Sequence, residues 1–214
     1  ENKDSEPMYY ENLPFRFDTR GIIYNKRGHV YKVNLGTNKF NKIVDGDKNQ
    51  IISIGSLVES DKGIVFSYEK YNSKGTMLEE KVGSLETKKI KEIHSRGSMG
   101  NLFYYEGDLH AVGLKNRFDW PTNTSILKIS SDGKVSFRHR TFDRNVVKAE
   151  VNNSVLYFLY EDSGKTLLRD GTNNIDLIDA EITVKDFAFN NDKTYVIANS
   201  FSKPDEVYEL NNGQ

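Results

Sequence analysis

The chain has 214 residues, with 30 Lys and Arg against 31 Asp and Glu, for a net charge of −1. Balanced charge argues against a nucleic-acid binder, which gathers a basic excess on one face. The lack of cysteine excludes disulfides, thiolate zinc sites and cysteine nucleophiles, and no run approaches the roughly 18 apolar residues of a membrane span.

Hydrophobic residues are 36% of the chain, a low share, while aromatics reach 12%. Few aliphatics with many aromatics suit sheets over thin cores, because Tyr, Phe, Val and Ile favour pleated, half-buried positions. Helical periodicity is nearly absent. The best helical candidate, Met77 to Ile93, is interrupted by Gly83, Ser84 and Thr87 and ends in the alternating "KKIKEI". It reads as two strands and a turn.

In chain order, "ENKDSEPMYYENLP" has neither a basic nor an apolar signal-peptide region. A mature exported chain, lipoprotein-like and at the cell surface or outside the cell, is the expectation, and for an exported protein the lack of cysteine points to a bacterial origin. Next comes "YKVNLGTNKFNKIV", a strand, a tight polar turn and a second strand. It has relatives in "EEKVGSLETKKIKEI", "ILKISSDGKVSFRH", "LLRDGTNNIDLI" and the terminal "VYELNNGQ". The turns centre near Thr37, Glu86, Asp132, Thr172 and Asn212, separated by 49, 46, 40 and 40 residues. Several strands per unit at this period is the spacing of propeller blades.

Each unit parses into four strands, A to D. The expected fold is therefore all-β, a single five-bladed β-propeller-like domain over 1–214 with four-stranded antiparallel blades. The blades are placed at about 15–46, 50–96, 100–142, 145–180 and 183–214. The fifth unit stops after three strands, and the strand-like 6–12, "EPMYYEN", is assigned as its fourth, closing the ring. A β-sandwich or an open barrel is the alternative.

Ligands of propellers bind where B–C and D–A connections surround the channel mouth. Connections longer than a tight turn are informative here: "EKYNSKGT", "KNRFDWPTNT", "EDSGK" and "NSFSKPD" join B to C, and "DGDKNQ", "HSRGSMG" and "TFDRN" join D to A. The third unit's insertion carries Arg117, Phe118, Asp119 and the sole tryptophan, Trp120. An aromatic beside Arg and Asp serves glycan or peptide recognition by ring stacking and paired polar contacts. A loop-covering Trp with a solvated Arg–Asp pair is the plainer reading. Tyr71, Arg96, Asp143, Arg144 and Phe201 are expected around the same mouth.

Five-bladed glycosidases place carboxylates around the channel. Asp18, Glu150 and Asp186 fall on A strands, each near a basic residue, Arg16, Lys148 and Lys185 respectively. Such alternation reads more simply as structural ion pairing. His29, His94, His110 and His139 share no ligand spacing, so no metal is expected. "DGDKNQ" and "SSDGK" read as turns and not calcium loops. No phosphate-cradling loop and no nucleophile elbow occur, and no cofactor is expected.

The "YKVNL-turn-K" repeats resemble the degenerate propeller repeats of extracellular and surface proteins of Gram-positive bacteria. That resemblance implies a propeller fold and supplies no active-site residues. The reading is a non-catalytic binding module for a glycan, a peptide or a partner protein. Its expected contacts are Trp120, Arg117, Asp119, Tyr71, Arg96 and Arg144, with a glycoside hydrolase or lyase using Asp18, Glu150 and Asp186 as the alternative.

Overall fold

A computed structural model describes residues 27–60, 63–74, 77–86, 89–95, 97–116, 122–138, 142–178, 182–191 and 193–210, with the backbone of Arg16–Phe17 and Gly21–Ile22. The chain is all-β. A short antiparallel pair, β1 (Arg16–Phe17) and β2 (Gly21–Ile22), precedes five further sheets. Sheet one is the hairpin β3 (Val30–Asn34) and β4 (Lys39–Val44). A single helical turn, α1 (Gly46–Asn49), leads into sheet two, made of β5 (Ile51–Ser60), β6 (Gly63–Tyr71), β7 (Leu78–Glu86) and β8 (Lys89–His94).

Sheet three comprises β9 (Ser98–Tyr105), β10 (Asp108–Leu114), β11 (Ser125–Ile129) and β12 (Val135–Phe137). Sheet four comprises β13 (Asn145–Asn152), β14 (Val155–Asp162), β15 (Lys165–Asp170) and β16 (Ile175–Asp176). Sheet five is β17 (Thr183–Asn190), β18 (Lys193–Ser200) and β19 (Lys203–Leu210). Every pairing is antiparallel between neighbours in sequence, the meander expected of blades. Residues 77–93, ambiguous between helix and strand, are β7, a turn and β8.

Primed two-residue turns join many of these strands. Glu106–Gly107 between β9 and β10 (φ 51° and 79°) and Asn153–Ser154 between β13 and β14 (φ 49° and 64°) sit in the left-handed region whose twist matches the strands. Two connections expected to be long loops are two-residue turns, the first of them primed. Ser163–Gly164 alone links Asp162 to its partner Lys165, and Phe201–Ser202 alone links Ser200 to Lys203. Gly164 at φ 78° supplies the turn chemistry that "EDSGK" already carried.

The cores lie between sheets and not within one. Val30 and Val44 of sheet one meet Ile51, Phe66 and Tyr68 of sheet two. Val65 and Val82 on the opposite face of sheet two meet Leu102, Ala111 and Leu127 of sheet three. Phe103, Val112 and Ile126 on sheet three's other face meet Ala149, Leu156 and Phe158 of sheet four. Leu159 and Leu168 then meet Val184, Phe187 and Val196 of sheet five. Strand alternation explains the stack: in β14, Leu156, Phe158 and Tyr160 face backwards along the chain while Leu159 faces forwards, so one strand feeds two cores. Closure between the first and last sheets is not seen among the described residues, and 6–12, assigned as the closing strand, lie outside them.

Candidate functional site

The first strand of each of sheets two to five carries a β-bulge, and β5 carries two. In β5 the register slips between Ile54 and Leu57, in β9 between Leu102 and Met99, in β13 between Val146 and Lys148, and in β17 between Val184 and Asp186. A bulge re-aims the side chain that follows it. Here it turns a polar group toward the next sheet. Ser56 Oγ accepts from Leu102 N at 2.8 Å, and Asn101 Oδ1 accepts from Ala149 N at 2.6 Å. Lys148 Nζ donates to Asp186 Oδ1 at 2.7 Å and to the Phe187 carbonyl at 2.9 Å. Sequence reading missed Ser56 and Asn101, because only the bulge register shows that they occupy equivalent places.

Two of the three inner carboxylates can be located, and Asp18 lies outside the described residues. Lys148 Nζ stands 2.7 Å from Asp186 and 3.7 Å from Glu150. Burial pushes the Asp186 carboxyl up, but the Lys148 ammonium and the Phe187 amide outweigh it and hold the group below its ordinary range. Lys148 therefore has a structural role between sheets four and five.

The loop face is built where B strands end and A strands begin. Trp120, Arg117, Asp119 and Arg96 lie outside the described residues. The end of the Trp120 connection is described, and it is tied to the segment entering sheet four. Asn123 Nδ2 donates to Asp143 Oδ1 at 3.2 Å, Thr124 N donates to Asn145 Oδ1 at 3.0 Å, and Val146 N donates to the Thr124 carbonyl at 3.0 Å. Arg144 Nε reaches Asp162 Oδ1 at 2.8 Å, and Asn145 Nδ2 reaches Glu161 Oε2 at 2.6 Å. The B–C connection of sheet three, the D–A connection after it and the B–C turn of sheet four thus form one polar rim. Asp143 and Arg144 belong to it through their bonds to Asn123 and Asp162.

Beneath this rim Ser125, Ile126, Phe142, Val146 and Phe158 close around a crevice too narrow to admit a water molecule. Phe142 stands edge-on to Phe158 and Tyr160, with centroids 5.2 and 5.1 Å away. Arg169 lies over its ring at 5.6 Å. Tyr71 is half-buried at the end of β6, in register with Leu78, and Phe201 is fully exposed at its turn.

One histidine does meet carboxylates: ligand atoms of His29, Asp45 and Asp47 lie within 4.8 Å of one another. Its Nδ1 accepts from Gly46 N at 3.1 Å, which leaves the proton on Nε2. Coordination through either nitrogen would disturb that bond, and Lys42 and Lys48 each stand 4.0 Å from Asp45. The cluster instead fastens the connection into sheet two. Gly46 packs so closely on Gly28 that a Cβ there would lie 2.0 Å from the Gly28 carbonyl oxygen.

No family model and no curated protein matches the chain. Among solved structures it is similar to the Pyrococcus horikoshii acylaminoacyl peptidase, with a TM-score of 0.72 and 14% identity over 98% of this chain and 33% of that one. An acylaminoacyl peptidase in complex with Z-Gly-Gly-Phe-chloromethyl ketone gives a TM-score of 0.73 at 14% identity, again over 98% and 33%. The β-propeller domain of the Trilobed protease from Pyrococcus furiosus, described as having an open velcro topology, gives 0.59 at 11% identity over 85% of this chain and 58% of that one. The chain spans about a third of the peptidases it resembles. At such identities the likeness is one of fold, and the fold is propeller-like.

Proposed function

We propose that the chain is a non-catalytic binding module that takes an extended peptide segment on its loop face, with the insertion holding Arg117, Asp119 and Trp120 as the principal contact. The observation that carries this reading is the tie between Asn123–Thr124 and Asp143–Val146, which plants the base of that insertion beside the Arg144–Asp162 pair and above the crevice. A polar rim above packed apolar side chains offers hydrogen-bonding groups along which an extended segment could lie. The fold likeness to peptidases and to a protease's propeller domain favours a peptide over a glycan. Residues 6–12 are proposed as the fourth strand on the outer edge of β19, and a cell-surface or extracellular setting is proposed on composition.

Trp120 is the sole tryptophan, so its emission reports on one place. Titration with unstructured peptides is expected to give a saturable shift, absent in Trp120→Phe and weakened about tenfold or more by Arg144→Ala, the loss of one charged contact. A response to oligosaccharides alone would transfer the site to glycans. No response to either class would end the reading.

A further inference from the structure

Sheets three and four meet along a seam whose two ends are held by different chemistry. At the loop face and along the inner strands the ties are amides and hydroxyls. Asn145 Oδ1 accepts from Thr124 N at 3.0 Å, the Thr124 carbonyl accepts from Val146 N at 3.0 Å, and Asn101 Oδ1 accepts from Ala149 N at 2.6 Å. None of these groups titrates near neutral pH. At the opposite end, the turn between β15 and β16 plugs the core. Gly171 N donates to the Leu156 carbonyl at 2.7 Å, Thr172 Oγ1 accepts from Leu156 N at 3.0 Å, and a Cβ on Gly171 would lie 2.6 Å from the Phe158 ring. A bond of 3.1 Å between the Thr172 and Tyr105 hydroxyls ties this turn to sheet three.

His110 stands beside Tyr105. Its ring is 1% exposed, stacked on its cross-strand partner Phe103 at 5.6 Å and edge-on to Tyr105 at 5.9 Å. The Asp108 carbonyl can only accept, so Nδ1 carries the proton, and the bare Nε2 is buried with no hydrogen-bond partner among the described residues. Sheet three supplies the charges nearby: Lys128, bonded to Asp108, and Arg138, which pairs with Glu106 at 2.9 Å and lies over the Tyr105 ring at 5.1 Å. The turn of sheet four adds Asp170, whose oxygens are taken by Thr172 N, Asn173 N and Asn173 Nδ2. Burial, aided by Arg138 and opposed by the Asp108 bond, holds the imidazole below its ordinary range.

We propose that His110 is an acid-sensitive latch: its protonation frees Tyr105 from Thr172 and opens the turn end of the seam while the loop end stays closed. A second proton goes to Nε2, where it makes a buried cation with an unmet N–H between two aromatic rings and close to Arg138, and that arrangement drives the ring outward. Tyr105 touches the ring and carries the bond to Thr172, so the turn loses its hold on sheet three. The opened form is a minor state whose population follows the proton. The inference is independent of the loop-face reading.

Amide hydrogen exchange of the full chain, corrected for the intrinsic effect of pH on exchange, tests this. From about pH 7.5 to about pH 5.5 the opening at Gly171 and Leu156 is expected to rise about tenfold, the linkage of one proton whose pKa is about 6.5 when the site is open. Val146 and Ala149 are expected to keep their protection. His110→Phe, which retains an aromatic ring, is expected to remove the rise. Tyr105→Phe, which lacks only the hydroxyl, is expected to loosen Gly171 and Leu156 at the higher pH already. The latch would be overturned by no rise, by a rise that Val146 and Ala149 share equally, by a rise that persists in His110→Phe, or by full protection in Tyr105→Phe.

Discussion

His110 is 1% exposed, with ring centroids 5.6 Å from Phe103 and 5.9 Å from Tyr105. Its Nδ1 lies 3.1 Å from the Asp108 carbonyl, and its Nε2 has no hydrogen-bond partner. Burial drives the imidazole below its ordinary range and the Arg138 guanidinium adds to this, against the bond to Asp108. The folded protein thus holds this side chain neutral, while the unfolded chain takes up a proton near pH 6.5. Its contribution to stability is full above about 6.5 and is lost as the pH falls below that. Urea midpoints measured from pH 7 to 5 should fall in the wild type and fall less in His110→Phe, which keeps the ring between its neighbours. Identical slopes would show that His110 is not a source of acid sensitivity.

Bulges matter most at the level of the element. Without the extra residue in β9, Asn101 would point along its own sheet, and the Ala149 amide of sheet four would lose its acceptor. Ala149 is fully buried, so that amide cannot turn to water. Asn101→Ala should therefore cost about 1–3 kcal/mol, the penalty for a buried donor left unpaired. Asn101→Asp, which retains an acceptor, should cost less. Denaturant unfolding measures both, and equal losses would mean that packing rather than the hydrogen bond is at stake. Glu106–Gly107 and Ser163–Gly164 both adopt left-handed turn geometry, the second where the sequence reading expects a longer connection.

At the scale of the molecule, stability resides in interfaces between successive sheets. Phe158 is 1% exposed where sheets three and four meet, and Phe40 is 68% exposed on sheet one. Phe158→Ala should lower unfolding stability by about 3–5 kcal/mol, through lost burial and the cavity left behind. Phe40→Ala should change it by less than about 0.5 kcal/mol. Calorimetry on the two variants compares position with residue type held constant. Similar losses would place Phe40 in a core.

The strands, their antiparallel order and the repeat were legible because they depend on local properties: period-two alternation and turn residues at intervals of 40 to 49 positions. What only the tertiary structure decided rests on register and on contacts between sheets. It showed that Ser56, Asn101, Lys148 and Asp186 hold equivalent posts, that two expected loops are tight turns, and that Asn123 and Asp143 meet across 20 residues. A bulge shifts register by one residue without a fixed sequence signature, and a contact between sheets joins residues tens of positions apart. Local pattern therefore determined what each strand is, and packing decided which strands share a site.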